Sequence, residues 1–172
     1  MKILVINGSS NKESFTQLNL ENIIKTIKNI KKDEIEVTIM NPQTDVMLNC
    51  VGCSQCFYTG SCNLDKFDNF EKIRKLLINS DLVIFGTPVY SLNVTPYLKN
   101  FIDRIIHWAH YLRLYGKAAV ILTTSFYPTN HVNSYMSFIC HSLGLKVIGN
   151  INISSQDIKT KKINVNQIIE KL

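Results

Sequence analysis

Five short runs, spaced by stretches of helical periodicity, limit this 172-residue chain to a small set of folds. They are Ile3 to Ile6, Glu36 to Met40, Leu82 to Phe85, Lys117 to Thr123 and Leu145 to Ile153. The first and third are uniformly apolar, the pattern of a strand buried on both faces of a parallel sheet. Between the runs, a helix starts at Ser14 or Thr16 and carries Leu20, Ile23, Ile24, Ile27 and Ile30 on one face. Phe67 to Ile78 repeats the period at Phe67, Phe70, Ile73, Leu76 and Leu77. Pro96 to Trp108 is opened by Thr95 as cap with proline in the first turn. Val132 to Leu143 ends at Gly144, and Val165 to Leu172 closes the chain. Strands that alternate with helices build an open parallel sheet covered on both faces.

The expected fold is therefore α/β, a flavodoxin-like three-layer sandwich with a five-stranded parallel sheet in the order 2-1-3-4-5. Residues 1–172 read as one domain, with a cysteine-rich insertion at about 41–65. The apolar fraction of 45% supports one ordinary core. The net charge of +6 comes mostly from lysines that alternate with apolar residues or precede the tail. With few arginines, these read as solvated helix faces, and no nucleic-acid partner is expected. No apolar stretch reaches membrane-spanning length, and no export signal follows Lys2, so no membrane partner and a cytoplasmic location are expected.

In such a sheet the ligand sits beyond the carboxyl ends of the strands, which selects the loops 7–16, 86–95 and 123–130. The first is Asn7-Gly8-Ser9-Ser10-Asn11-Lys12-Glu13-Ser14-Phe15-Thr16. It is rich in hydroxyl and amide groups and leads into a helix N-terminus, whose free N–H groups and dipole favour a phosphate. It lacks the further glycines of a dinucleotide fingerprint and the Gly-Lys-Ser/Thr ending of a nucleoside-triphosphate loop. A single terminal phosphate suits it best. The second loop, Gly86-Thr87-Pro88-Val89-Tyr90-Ser91, offers an apolar surface for a flat ring, with backbone groups after Pro88 expected free to bond its polar edge.

Four of the five cysteines fall in Cys50-Val-Gly-Cys53-Ser-Gln-Cys56-Phe-Tyr-Thr-Gly-Ser-Cys62. Four thiolates in one loop can surround a metal centre, and Gly52 and Gly60 give the loop freedom to wrap one. The spacing leaves open a 4Fe-4S cluster, free or redox-active thiols, zinc, and an inert packed loop. Cys140 lies on an apolar helix face and reads as core. His107 and His110 share a helix face without a partner at ligand spacing, and His131 and His141 have no partner visible in the sequence.

Together with Pro96-Tyr97-Leu98-Lys99-Asn100-Phe101-Ile102-Asp103-Arg104, these segments resemble the NAD(P)H-dependent FMN reductase family of flavodoxin-like proteins, most closely its iron–sulfur flavoprotein branch. The resemblance implies that Ser9, Asn11, Ser14 and Thr16 hold an FMN phosphate, with Phe15 adding its backbone N–H. It implies that Pro88, Val89, Tyr90 and Ser91 line the isoalloxazine, that Thr124 and Ser125 approach it from the other side, and that Asp103-Arg104 is a structural pair. The family often carries Arg where Asn11 stands and Asn where Phe15 stands; both changes remove polar contacts. Cys50, Cys53, Cys56 and Cys62 are the metal ligands implied.

The function that follows is an FMN-dependent oxidoreductase taking hydride from NAD(P)H, with no side chain needed as catalytic acid or base. Its acceptor is a small molecule or a redox protein, and a homodimer or tetramer is implied. Two alternatives stay open: an iron–sulfur flavoprotein that shuttles electrons between protein partners, and a non-redox α/β binding module that has lost FMN.

Overall fold

A computed structural model describes residues 1–31, 34–127 and 130–154. Its strands are β1 (Lys2–Asn7), β2 (Glu36–Met40), β3 (Leu82–Pro88), β4 (Ala118–Ser125) and β5 (Lys146–Ser154). All neighbours pair in parallel, in the order β2-β1-β3-β4-β5, as the sequence pattern predicts. The helices are α1 (Phe15–Ile30), α2 (Gln55–Thr59), α3 (Phe70–Asn79), α4 (Pro96–Ile105) and α5 (Asn130–Ser142). The closing helix expected at Val165 to Leu172 lies outside the described residues.

The period of two along each strand divides the apolar residues between two cores. Ile3, Val5, Leu82, Ile84, Val120 and Leu122 face α1 through Leu20, Ile23, Ile24 and Ile27. Leu4, Ile6, Val83, Phe85, Ala119 and Ile121 face the opposite way, onto α3, α4 and α5. A uniformly apolar strand is thus the sum of two interleaved faces, each with its own helix layer. Cys140 is fully buried in the second core, and burial pushes its thiol up to about 12.

Several boundaries differ from the sequence pattern. Both β3 and β4 run on through polar ends, to Pro88 and Ser125, because ladder pairing such as Pro88 with Thr124 outlasts the apolar run. The third helix begins at Phe70 rather than Phe67. Residues Asn63–Lys66 form a 3-10 turn, Phe67 is 75% exposed, and the Asp68 carboxylate accepts the Phe70 N–H at 3.0 Å. Finally, α4 gives way to a 3-10 segment at Ile106–Tyr111, followed by Leu112 in the left-handed region (φ 45°).

Candidate functional site

The parallel register brings the carboxyl ends of β1, β3 and β4 side by side: Asn7 pairs with Gly86, and Pro88 with Thr124. Gly8 N–H donates to Gly86 O at 2.7 Å as the first loop leaves the sheet. A Cβ on Gly8 would stand 2.8 Å from Thr95 Oγ1 and 3.2 Å from Gly86 O, so close approach to the start of α4 demands glycine there.

The first loop is braced from within. Asn7 donates through Nδ2 to Gln17 (2.7 Å) and accepts from Ser9 N–H (2.9 Å). The Asn11 side chain accepts from Glu13 N–H at 2.9 Å, and its carbonyl accepts from Ser14 N–H at 3.2 Å. Gln43, beyond β2, donates to Ser10 O from outside. Ser14 is the N-cap of α1: its Oγ accepts from Gln17 N–H at 3.1 Å, and its carbonyl receives Leu18 N–H. That leaves the Phe15 and Thr16 N–H groups without a partner among the described residues, in the first turn where the helix dipole is positive. The Ser14 hydroxyl accepts its bond and keeps its proton to give.

The three hydroxyls expected to act alike do not. Ser14 is half-buried and reachable, whereas Ser9 and Thr16 are each 1% exposed. Thr16 spends its Oγ1 on Thr124 Oγ1, 2.6 Å away, tying the first loop to the end of β4. Ser9 Oγ lies 3.3 Å from Asn11 N and bonds inside its own loop. Thr16 can therefore serve an anion through its backbone rather than its hydroxyl.

Backbone groups after Pro88 are not all free, which corrects the expectation. Val89 N–H donates to Thr124 O at 2.8 Å, and Tyr90 and Asn93 exchange bonds at 3.0 and 2.9 Å. Between them Ser91 (φ 48°) and Leu92 (φ 62°) both adopt left-handed backbone without being glycine. Such a residue costs on the order of 1–2 kcal/mol, which the surrounding bonds must hold. One is unexpected: His131 at the start of α5 lies with Nε2 2.7 Å from Leu92 O. A carbonyl only accepts, so Nε2 carries the proton. Among the described residues, the Ser91 and Leu92 N–H groups of this turn have no partner. Tyr90, at 52% exposed, stands at the mouth, and Ser125 Oγ donates to Tyr127 O.

The cysteine segment lies against α4. Tyr97, Asn100 and Arg104 recur at helical spacing on one face and each holds it. Tyr97 OH donates to Asp45 O (3.0 Å). Asn100 accepts Cys50 N–H (3.0 Å) and donates to Leu48 O (3.2 Å). The Arg104 guanidinium, its side chain 0% exposed, donates to Leu48 O, Asp65 and Asp68, each at 2.7 Å. Arg74 adds a second cation to Asp65. Burial disfavours the Arg104 charge, but the bonds to Asp68 and Asp65 outweigh it and raise its pKa. Asp103, expected to pair with Arg104, instead pairs with Lys99 at 2.5 Å.

All four thiols are free; Cys50 and Cys53 are exposed, Cys56 and Cys62 half-buried. Burial raises the Cys56 thiol, and Cys62, Cys50 and Cys53 push it further in the same direction. Cys56 therefore lies within electrostatic reach of the other three, and the number and softness of the four sulfurs suit an iron–sulfur or thiophilic metal centre. Among the described residues, no three His, Cys, Asp or Glu side chains are already grouped as metal ligands.

A doubly wound sheet with a capped helix N-terminus at its carboxyl edge defines the flavodoxin-like class. Within it, residues 1–158 match the NADPH-dependent FMN reductase family, and the chain belongs to that family. It is 31% identical to an iron-sulfur flavoprotein of Clostridioides difficile over 176 aligned positions, covering 94% of this chain and 74% of that protein. It is 29% identical to an iron-sulfur flavoprotein of Archaeoglobus fulgidus, covering 87% of this chain. The chain spans only 66% of that relative's length. Among solved structures, an NADH:FMN oxidoreductase in its apo form superposes with TM-score 0.67 at 22% identity, covering 98% of this chain and 84% of that one. This last likeness is one of fold.

Proposed function

We propose that this chain is an FMN-dependent oxidoreductase that takes hydride from NAD(P)H and passes electrons to a small-molecule or protein acceptor. The observation that carries the reading is the α1 N-terminus. Ser14 caps it, yet its hydroxyl proton and the Phe15 and Thr16 N–H groups remain for a terminal phosphate. Ser9 and Asn11 shape that loop from inside. Pro88, Val89, Tyr90 and Ser91 would line the ring, with the Ser91 and Leu92 N–H groups available to its polar edge. Thr124 and Ser125 would approach from the other side, and Thr124 braces Thr16. FMN would supply the hydride and electron chemistry, and the protein would hold and orient it. A homodimer or tetramer and a cytoplasmic location, where thiols stay reduced, accord with this reading.

Four free thiols within one short segment favour a second reading, an iron–sulfur flavoprotein in which Cys50, Cys53, Cys56 and Cys62 would hold a 4Fe-4S cluster that exchanges electrons with the flavin. The absorption spectrum of protein purified without oxygen tests both. Flavin bands alone support the first reading, and flavin with broad iron–sulfur absorbance supports the second. A colourless protein that takes up no FMN would defeat both and leave a non-redox binding module.

A further inference from the structure

The cysteine segment is held at both ends by α4, and between them it carries the short helix α2 and rests Phe57 edge-on against His107 and His110. Before Cys50, Leu48 O is bonded by both Arg104 (2.7 Å) and Asn100 (3.2 Å), and Cys50 N–H is bonded by Asn100 (3.0 Å). After Cys62, Asp65 and Asp68 both bond Arg104, and Asp68 also accepts Leu48 N–H at 2.9 Å. One buried guanidinium thus joins the two flanks, residues 48 and 65–68, across the whole four-thiol stretch. Between them two glycines give the backbone freedom: Gly52 (φ 66°) and Gly60 (φ 72°) are both left-handed, and Gly52 has open space around it.

We infer that the Asn100–Arg104 face of α4 is a positioning clamp for the thiols. It fixes the flanks of the segment so that Cys50, Cys53, Cys56 and Cys62 converge on a soft metal centre by local adjustment alone. The inference rests on the second reading above, that these thiols serve a metal. It extends that reading to residues that donate nothing to the metal. Arginine is required because its planar fork reaches a carbonyl and two carboxylates at once; a lysine keeps the charge but not the reach. Without the clamp, binding must also order the flanks, and affinity falls by that cost.

Cadmium alone is a suitable probe, since its thiolate charge-transfer absorbance reports sulfur ligation independently of any redox activity. Reduced, FMN-loaded protein is titrated with Cd2+ as wild type, R104K and N100A. Partners that orient ligands without touching the metal change affinity by about 10–100-fold, and a weakening in that range is expected for R104K. N100A, at a half-buried amide with no buried charge left behind, is expected to weaken binding less, with FMN affinity and unfolding midpoint kept. If R104K fails to fold, N100A decides. Wild-type affinity in both variants, or in N100A where only it folds, would overturn the clamp while leaving the thiolate site standing. Absence of any thiolate band in the wild type would overturn the metal reading and the clamp with it.

Discussion

Replacing Ser14 with aspartate separates the structural task of this residue from its proposed binding task. Ser14 Oγ accepts Gln17 N–H at 3.1 Å as the α1 N-cap, and aspartate caps as well as serine does. The fold is therefore expected to survive S14D with little change in unfolding midpoint. For the FMN phosphate the substitution is costly, since it removes a hydroxyl donor and sets a carboxylate in its place. Two unit charges ~5 Å apart at an effective dielectric near 20 repel by about 3 kcal/mol. Because Ser14 is half-buried, solvent screening takes part of this. A net loss of about 2–4 kcal/mol corresponds to FMN binding weaker by roughly 30- to 1,000-fold. Flavin fluorescence titration of the apoprotein measures it. Riboflavin, which lacks the phosphate, serves as control and is expected to bind both proteins alike. Unchanged FMN affinity in S14D, with the fold intact, would refute the phosphate assignment; an equal loss for riboflavin would show that the ring site had been disturbed instead.

Two further outcomes concern stability. Gly8→Ala places a Cβ 2.8 Å from Thr95 Oγ1, which is engaged as the α4 cap, and is expected to cost about 1–3 kcal/mol in urea denaturation. His107 is 2% exposed, and burial holds its pKa below the ordinary value, helped by Arg74 and opposed by the Gly60 backbone. The unfolded chain therefore binds the proton first. Stability should be full above about pH 6.5 and fall as the pH drops through and below that value, by at most about 1.4 kcal/mol per pH unit. H107L should flatten that acid limb of the stability curve, and an unchanged limb would mean that other groups govern it.

Much of the fold is legible because buried parallel strands are locally extreme: Ile3–Ile6 and Leu82–Phe85 have no other reading at that length. Caps were legible for the same local reason, with Ser14 and Thr95 both capping as their positions suggest. What escaped the sequence was set by contacts distant along the chain. Thr16 and Thr124, 108 residues apart, share one bond, so a hydroxyl that looked like an anion donor serves the framework. His131 reaches back to Leu92 across 39 positions, and no local pattern announces it. The Asp103-Arg104 adjacency misled, because neighbours on a helix point to different faces; Asp103 turns outward to Lys99, while Arg104 turns inward to Asp65 and Asp68. A signal for the clamp was present in the spacing of Tyr97, Asn100 and Arg104. It marks a polar stripe beside the core positions Leu98, Phe101, Ile102 and Ile105 of the same helix.

Anaerobic mixing of the FMN-loaded protein with NADH and, separately, with NADPH, followed as the decay of oxidised flavin absorbance, asks whether this chain is a nicotinamide-dependent flavin reductase. One FMN per chain and complete bleaching by at least one of the two nucleotides are expected, with the colour restored when an electron acceptor is added. A protein that binds no FMN, or whose bound flavin stays oxidised with both nucleotides in excess, would contradict that reading.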